Sequence, residues 1–301
     1  MAQQIHNTPD NKTSKVNQMN KNSYFITSEN IKIPKLIYGT AWKKERTASL
    51  VEAALLAGFR GIDTACQPKH YEEALVGEAI SNAHKHGIMR EDLFLQTKFT
   101  PLNGQDPSKI PYNPKEPLDI QVAQSFETSK KNLQTDYVDS LLLHSPLFPF
   151  EDLMRVWRAM ERIYHSKGTK GLGISNCYDL KTLSRLYEEA EIKPSVVQNR
   201  FYLESEYDKE LRQWCDKVDI RYQGFWTLTA NPHILTSYDL IKIAQTYGKT
   251  EAQIFYRFLS HIGIIPLIGT TSQEHMRCDM DIFSFELGAT DINSIEALLG
   301  L

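Results

Sequence analysis

The sequence predicts an α/β chain folded as a single closed (β/α)8 barrel, and three observations carry that prediction. Apolar runs of about four to eight residues recur eight times. Amphipathic stretches with helical spacing separate them, and the alternation persists to the end. No linker rich in Pro, Gly or Ser divides the chain. Strands that read as nearly continuous apolar runs belong to parallel sheets covered on both faces. Eight such units in 301 residues fit the TIM-barrel pattern. A doubly wound sheet is the alternative, but its glycine fingerprint is missing after the first run, where GTAWKKERTAS holds one Gly.

In chain order, MAQQIHNTPDNKTSKVNQMNKNS is polar and lacks the apolar stretch of a secretory signal. Residues 1–22 are expected to be a disordered tail and residues 23–301 the barrel domain. YFITSENIKIP reads as a short N-terminal hairpin closing the barrel's base. The strand-like runs follow as PKLIYGT, FRGIDTA, DLFLQTKF, VDSLLLH, GLGISN, SVVQNRF, IRYQGFW and GIIPLIG. Between them, TASLVEAALLAG sets Leu50, Ala53, Ala54 and Ala57 on one helical face. QVAQSFETSKKNL, LMRVWRAMERIY, LKTLSRLYEEA and KELRQWCDKV repeat the pattern.

Composition excludes several partners. With 34 basic and 37 acidic residues, a formal charge of −3 and no Lys/Arg cluster, nucleic-acid binding is not expected. The longest apolar stretch, VDSLLLHSPL, is too short for a membrane span of about 18 residues. Cys66, Cys177, Cys215 and Cys278 are scattered singly, which suits neither a disulfide framework nor a metal site. A reduced, cytoplasmic setting follows, with a monomer or a weak homo-oligomer expected.

Barrel enzymes place their chemistry at the carboxyl ends of the strands. The polar residues ending the apolar runs are Asp63, Lys98, His144, Ser175 and Asn176, and Gln198-Asn199-Arg200, with the aromatic Trp226 alongside. Together they set an acid, an ammonium and an imidazole around one mouth. Two nucleotide-like motifs are set aside. Tyr247-Gly248-Lys249-Thr250 lacks the first Gly of a phosphate loop, and Gly171-Leu172-Gly173 lacks the third Gly of a dinucleotide fingerprint.

From IPKLIYGTAW to DINSIEALL the chain resembles the aldo-keto reductase superfamily, in GIDTA, LQTKF, DYVDSLLLHSP, LGISNC, VVQNRFY and GTTSQEHM above all. CQPKHYEEALVGEAI and FWTLTANP look like a microbial and fungal branch. The resemblance implies reduction of an aldehyde or ketone by hydride from a nicotinamide cofactor, with Asp63, Tyr71, Lys98 and His144 as catalytic quartet. Tyr71 follows Asp63 by eight residues, a wider spacing than in much of the family, because CQPKH intervenes.

The chemistry gives each residue type a reason. Hydride arriving at a carbonyl carbon leaves an alkoxide-like oxygen, and Tyr71 is the proposed proton donor. A neighbouring Lys98 is expected to lower the Tyr71 pKa, and Asp63 to keep Lys98 charged. A neutral His144 would orient and polarise the carbonyl oxygen.

The same resemblance implies that Ser175, Asn176 and Gln198 bond the nicotinamide carboxamide and that Trp226 stacks on its ring. Thr227, Leu228 and Thr229 would border the pyrophosphate. Gly269, Thr271, His275 and Asp279 would hold the adenosine end, with Gly39, Thr40 and Asp63 near the ribose or nicotinamide. NADPH is the expected cofactor, with NADH possible, since no Lys or Arg immediately follows the eighth strand where relatives clamp the 2′-phosphate.

For substrate, Trp42, Phe99, Leu147 and Phe148 are expected to line an apolar pocket beside Tyr71 and His144. The five-proline loop from Thr100 to Asp119 is expected to roof it. The chain stops soon after ELGATDINSIEALLGL, which suggests an open pocket for a small-molecule carbonyl. Two alternatives remain: a cofactor-binding regulatory subunit with little turnover, and a lyase using Lys98 as a Schiff base, which a nearby Asp63 opposes.

Overall fold

The protein was analysed as a computed structural model that describes residues 23–27 and 30–300. The polar tail therefore lies outside the described residues. The chain opens with an antiparallel hairpin of β1 (Tyr24–Ile26) and β2 (Lys32–Pro34), in which Tyr24 faces Pro34. Ile31 and Ile33 from this hairpin pack with Ile37, Phe94, Leu142, Val196, Ile265 and Leu267 in one buried cluster, so the hairpin seals the base of the barrel.

That barrel consists of β3 (Ile37–Gly39), β4 (Gly61–Asp63), β5 (Phe94–Phe99), β6 (Ser140–Leu143), β7 (Leu172–Ser175), β8 (Pro194–Arg200), β9 (Arg221–Phe225) and β10 (Ile265–Ile268). All eight pair in parallel, and β10 closes on β3 with Leu267 opposite Ile37. Each of the eight apolar runs holds one strand. Gly61 begins β4 because a Cβ there would meet Ile37 Cγ1 at 2.9 Å and Pro34 Cγ at 3.2 Å. Only a bare backbone fits between hairpin and barrel.

Around the strands lie α1 (Thr47–Ala57), α2 (Glu73–Ala83), α3 (Leu118–Leu133), α4 (Phe150–His165), α5 (Leu180–Glu189), α6 (Lys209–Lys217), α7 (Pro232–Leu235), α8 (Tyr238–Tyr247), α9 (Glu251–His261), α10 (Gln273–Met280) and α11 (Ala289–Leu299). Helix α1 buries Leu50, Val51, Ala54 and Leu55, so its inner face is turned from the expected one and leaves Ala53 and Ala57 half-buried. The GKT segment is a helix junction. Gly248 ends α8 at φ 61°, and Thr250 caps α9 by accepting from Gln253 N while the Gln253 side chain accepts from Thr250 N. Among the described residues, no helix is long and apolar enough to cross a membrane.

Strand alternation decides which side chains reach the barrel's interior. On β5, Phe94, Gln96 and Lys98 point inward, while Leu95, Thr97 and Phe99 meet the helices. Helix α2, which carries the residue after Glu72 onward, lies close on α3: a Cβ on Gly77 would stand 2.1 Å from the Asn132 carbonyl oxygen.

Candidate active site

The floor of the site is a buried polar network. Lys98 Nζ donates to both carboxylate oxygens of Asp63, at 2.7 Å each, and to the Thr64 carbonyl at 2.8 Å. Asp63 Oδ1 also accepts from Gln96 Nε2 at 2.7 Å and Gln198 Nε2 at 3.0 Å. Beneath them, Gln223 Oε1 accepts from the same two amides at 2.7 and 2.9 Å and Gln223 Nε2 returns a bond to Gln96 at 3.1 Å. A buried ionic pair is tolerable only when its remaining lone pairs and protons are satisfied, and this amide triad satisfies them. Burial works against the Lys98 charge and lowers its pKa, while Asp63 holds it up. Neither Gln96 nor Gln223 was singled out from the sequence; the signal was their inward register, two residues before Lys98 and Phe225 on their strands.

Above this floor, the inserted CQPKH segment folds back on itself. The amides of His70 and Tyr71 both donate to the Gln67 carbonyl at 3.1 Å, and Trp42 N donates to the His70 carbonyl at 2.8 Å. Two further ties fasten it: Gln67 Nε2 to the Gly104 carbonyl at 2.7 Å and Gln105 Nε2 to the Cys66 carbonyl at 2.9 Å. On its far side, the buried Glu73 accepts from Thr97 Oγ1 at 2.5 Å and Ser129 Oγ at 3.0 Å, pinning the start of α2 to β5 and α3. The extra residues are thus absorbed in a turn. The Tyr71 ring centre comes to 5.3 Å from Lys98 Nζ and 6.0 Å from the His144 ring, in an edge contact.

One expectation is corrected by this geometry. Burial pushes the Tyr71 phenol above its ordinary value, and the Asp63 carboxylate adds to the rise. The net direction is upward despite Lys98, because the Asp63 carboxylate paired with the ammonium offsets its charge. His144 behaves as expected: burial, then the Lys98 charge and His70, hold its pKa well below the ordinary imidazole value, so the ring is neutral. Its Nδ1 lies 2.6 Å from Thr100 Oγ1. Assigning the hydroxyl as donor places the ring hydrogen on Nε2, the tautomer that can donate to a carbonyl oxygen. Thr100 is itself fixed by Tyr112 Oη, which donates to its carbonyl at 2.9 Å.

These residues open into a cavity of about 970 Å³. Tyr71, His144 and Asp63 line its inner end with Trp42, which stacks on His70 at 3.7 Å between ring centres. Ser175, Asn176 and Gln198 form one wall, and Trp226, Thr227, Leu228 and Thr229 continue it. Gly39, in register with Asp63 across β3 and β4, lines the cavity near its floor, and Gly269, His275 and Asp279 line it beyond. Trp42, Asn176 and Trp226 all adopt left-handed backbone, at φ 64°, 54° and 58°. Such conformations cost energy in non-glycine residues and persist only where surroundings enforce them.

Several predicted residues lie elsewhere. Thr40 is fully buried and donates to the Asp63 carbonyl at 2.9 Å, joining β3 to β4 behind the cavity wall. Thr271 is exposed, and Thr270 takes its place on the lining. Phe99 faces the helices and packs on Tyr112 at 5.6 Å; Leu147 packs against the outer core, and Phe148 is exposed. The Thr100–Asp119 loop does not roof the cavity. It braces the Cys66–Gln67 turn through Gly104 and Gln105, so its bearing on Tyr71 is indirect.

The cavity also contains residues given no role by the sequence reading. Lys43, a buried lysine, donates to the Gly269 carbonyl, and burial lowers its pKa with Arg46 adding to the effect. Tyr256 and Arg200 line the same space. Asp279, expected at the adenosine end, is buried without a cationic partner, and desolvation pushes its pKa up to about 7. The unfolded carboxyl ionises near 3.8, so the native state loses stability as pH rises from there to about 7. Asp279→Asn removes that loss. Its advantage in urea unfolding should grow by about 1.4 kcal/mol per pH unit across this window and level off above it.

A model described as the aldo/keto reductase family matches residues 35–299. The chain belongs to this family. Its members are oxidoreductases that use NADPH. Among its relatives, a glyoxal reductase of Bacillus subtilis is 30% identical over 82% of each chain. An NADPH-dependent alpha-keto amide reductase of Saccharomyces cerevisiae is 30% identical over 91% of this chain and 90% of its own. A crystal structure of an aldo/keto reductase from Brucella melitensis superposes with a TM-score of 0.78 at 31% identity, covering 91% of this reductase and 98% of that chain.

Proposed function

We propose that this reductase converts an aldehyde or ketone to the alcohol with NADPH, with Tyr71 as proton donor. The observation that carries the reading is a partly accessible phenol, standing over a charge-neutral Lys98–Asp63 pair and beside a neutral imidazole, at the inner end of a long cavity. The lining fits a dinucleotide. Ser175, Asn176 and Gln198 offer the donors and acceptors a carboxamide needs, and the half-exposed Trp226 presents a ring for stacking. Thr227 Oγ1 is buried without a partner on the wall assigned to the pyrophosphate. Lys43 and His275 supply basic groups at the phosphate end in place of a cation after β10.

Bound NADPH would supply the hydride. The substrate oxygen that becomes alkoxide takes its proton from Tyr71 Oη, and a raised phenol still serves because an alkoxide is the stronger base. His144 Nε2–H aims that oxygen and stabilises the developing charge, while the Lys98–Asp63 pair keeps the floor rigid. The relatives named for glyoxal and α-keto amides suggest a carbonyl with a second carbonyl beside it as an early substrate to try.

The test is NADPH consumption with glyoxal, an α-keto amide and an aromatic aldehyde, repeated with NADH. Turnover with NADPH supports the reading. Tight NADPH binding without turnover on any of the three overturns it and favours a non-catalytic, cofactor-binding role.

A further inference from the structure

Arg200 is the last residue of β8 and follows Gln198 on the inward face of the strand. Its guanidinium lines the cavity that holds Tyr71 and His144, with Cζ 4.2 Å from the centre of the Trp226 ring and 5.2 Å from that of Tyr202. The backbone is fixed, since Arg200 N donates to Tyr178 Oη at 3.1 Å. The side chain nevertheless makes no hydrogen bond or ion pair, and Nε is sealed from solvent without a partner.

The unpartnered Nε is shared with Arg221 and Arg257, so what sets Arg200 apart is the lack of any pairing through the rest of its guanidinium. Among the described residues, every other arginine that is not exposed is paired. Arg60 bonds the Leu55 and Phe59 carbonyls, Arg212 the Tyr207 carbonyl, and Arg90, Arg221 and Arg257 pair with Asp139, Asp219 and Glu286. A guanidinium is weakly hydrated and always charged, and stacking on aromatic rings fixes its plane while leaving its N–H edge free. That edge matches two oxygens of a carboxylate or phosphate.

We propose that Arg200 is the anion-binding group of this cavity, receiving the acidic group of a carbonyl substrate that carries a carboxylate. The inference rests on the reductase reading for the reacting end of that substrate. Tyr71 and His144 take the carbonyl, and Arg200 takes the acid across the cavity. Phosphate oxygens of the cofactor present the same chemistry, and the experiment separates the two sources.

The measurement is KM for 4-formylbenzoate and for benzaldehyde, with NADPH affinity by fluorescence titration, in wild type, Arg200→Met and Arg200→Lys. Loss of a charge-assisted bidentate contact corresponds to about tenfold or more in binding. Arg200→Met is therefore expected to raise the KM ratio of acid to neutral aldehyde by about tenfold, with Arg200→Lys recovering part of it. An unchanged ratio with NADPH binding weakened by a similar factor retains Arg200 as the anion site but assigns the anion to the cofactor. If both quantities match wild type, the proposal is overturned. Tryptophan fluorescence quenching by 4-formylbenzoate separates this from failure of the reductase reading. A wild type that binds the acid without oxidising NADPH loses the reductase assignment and keeps the anion site.

Discussion

Tyr71→Phe is expected to lower kcat by about a thousandfold, within the range ascribed to a positioned proton donor, while NADPH affinity stays close to wild type. The substitution removes only the Oη hydroxyl. The turn that presents the ring depends on backbone bonds to the Gln67 carbonyl and on Gln105, none of which involves the phenol. Single-turnover kinetics with saturating NADPH reads the effect directly, and a loss of less than about tenfold removes Tyr71 from the acid role. The pH profile follows from the directions of the shifts. The phenol is pushed above its ordinary value of 10.0 and the His144 imidazole well below 6.5, so neither titrates between them. A flat kcat/KM from about pH 7 to about pH 9 is expected. A basic limb with an apparent pKa near 8 would instead mean that Lys98 does lower the phenol in the working complex.

Lys98→Met should destabilise the protein by about 3–5 kcal/mol, the cost of leaving a buried carboxylate without its counter-charge. Lys98 is 1% exposed and Asp63 2%, so water cannot take the partner's place. Adding Asp63→Asn in the same chain should recover most of the loss, because the floor is then neutral and the amides of Gln96 and Gln198 keep an oxygen to donate to. Urea unfolding of the two single variants and the double variant closes the cycle. Additive losses would show that the pair is not energetically coupled.

Much of the architecture was legible in the sequence because burial and backbone periodicity are local properties. A parallel strand covered on both faces must be apolar along its length, and each of the eight runs turned out to hold one strand. The same logic located Asp63, Lys98, His144 and Gln198, since a polar residue ending such a run stands at the barrel's mouth. It misjudged Phe99, Leu147 and Phe148. A residue's place in the chain beside a catalytic position does not tell which side of the strand it faces, and Phe99 alternates with Lys98 onto the helices. Thr100, Gln96 and Gln223 were missed for a related reason: each acts through a hydrogen bond to a residue far away in sequence, as Gln96 does to Gln223 across 127 positions.

By itself, then, the sequence determined the barrel, its eight strands and the polar side chains that end those strands at one mouth, because those follow from the order of apolar and polar residues. Only the tertiary structure decided what those side chains do to one another. The CQPKH insertion sets Tyr71 eight residues after Asp63, and where the ring then lies depends on a turn held by Gln67, Gln105 and Glu73. The direction in which the Tyr71 phenol shifts was likewise unreadable beforehand, since Asp63 offsets the Lys98 charge and leaves burial to decide it. Electrostatic interactions depend on distance and on the exclusion of water, and both are set by packing between segments that the chain order keeps far apart.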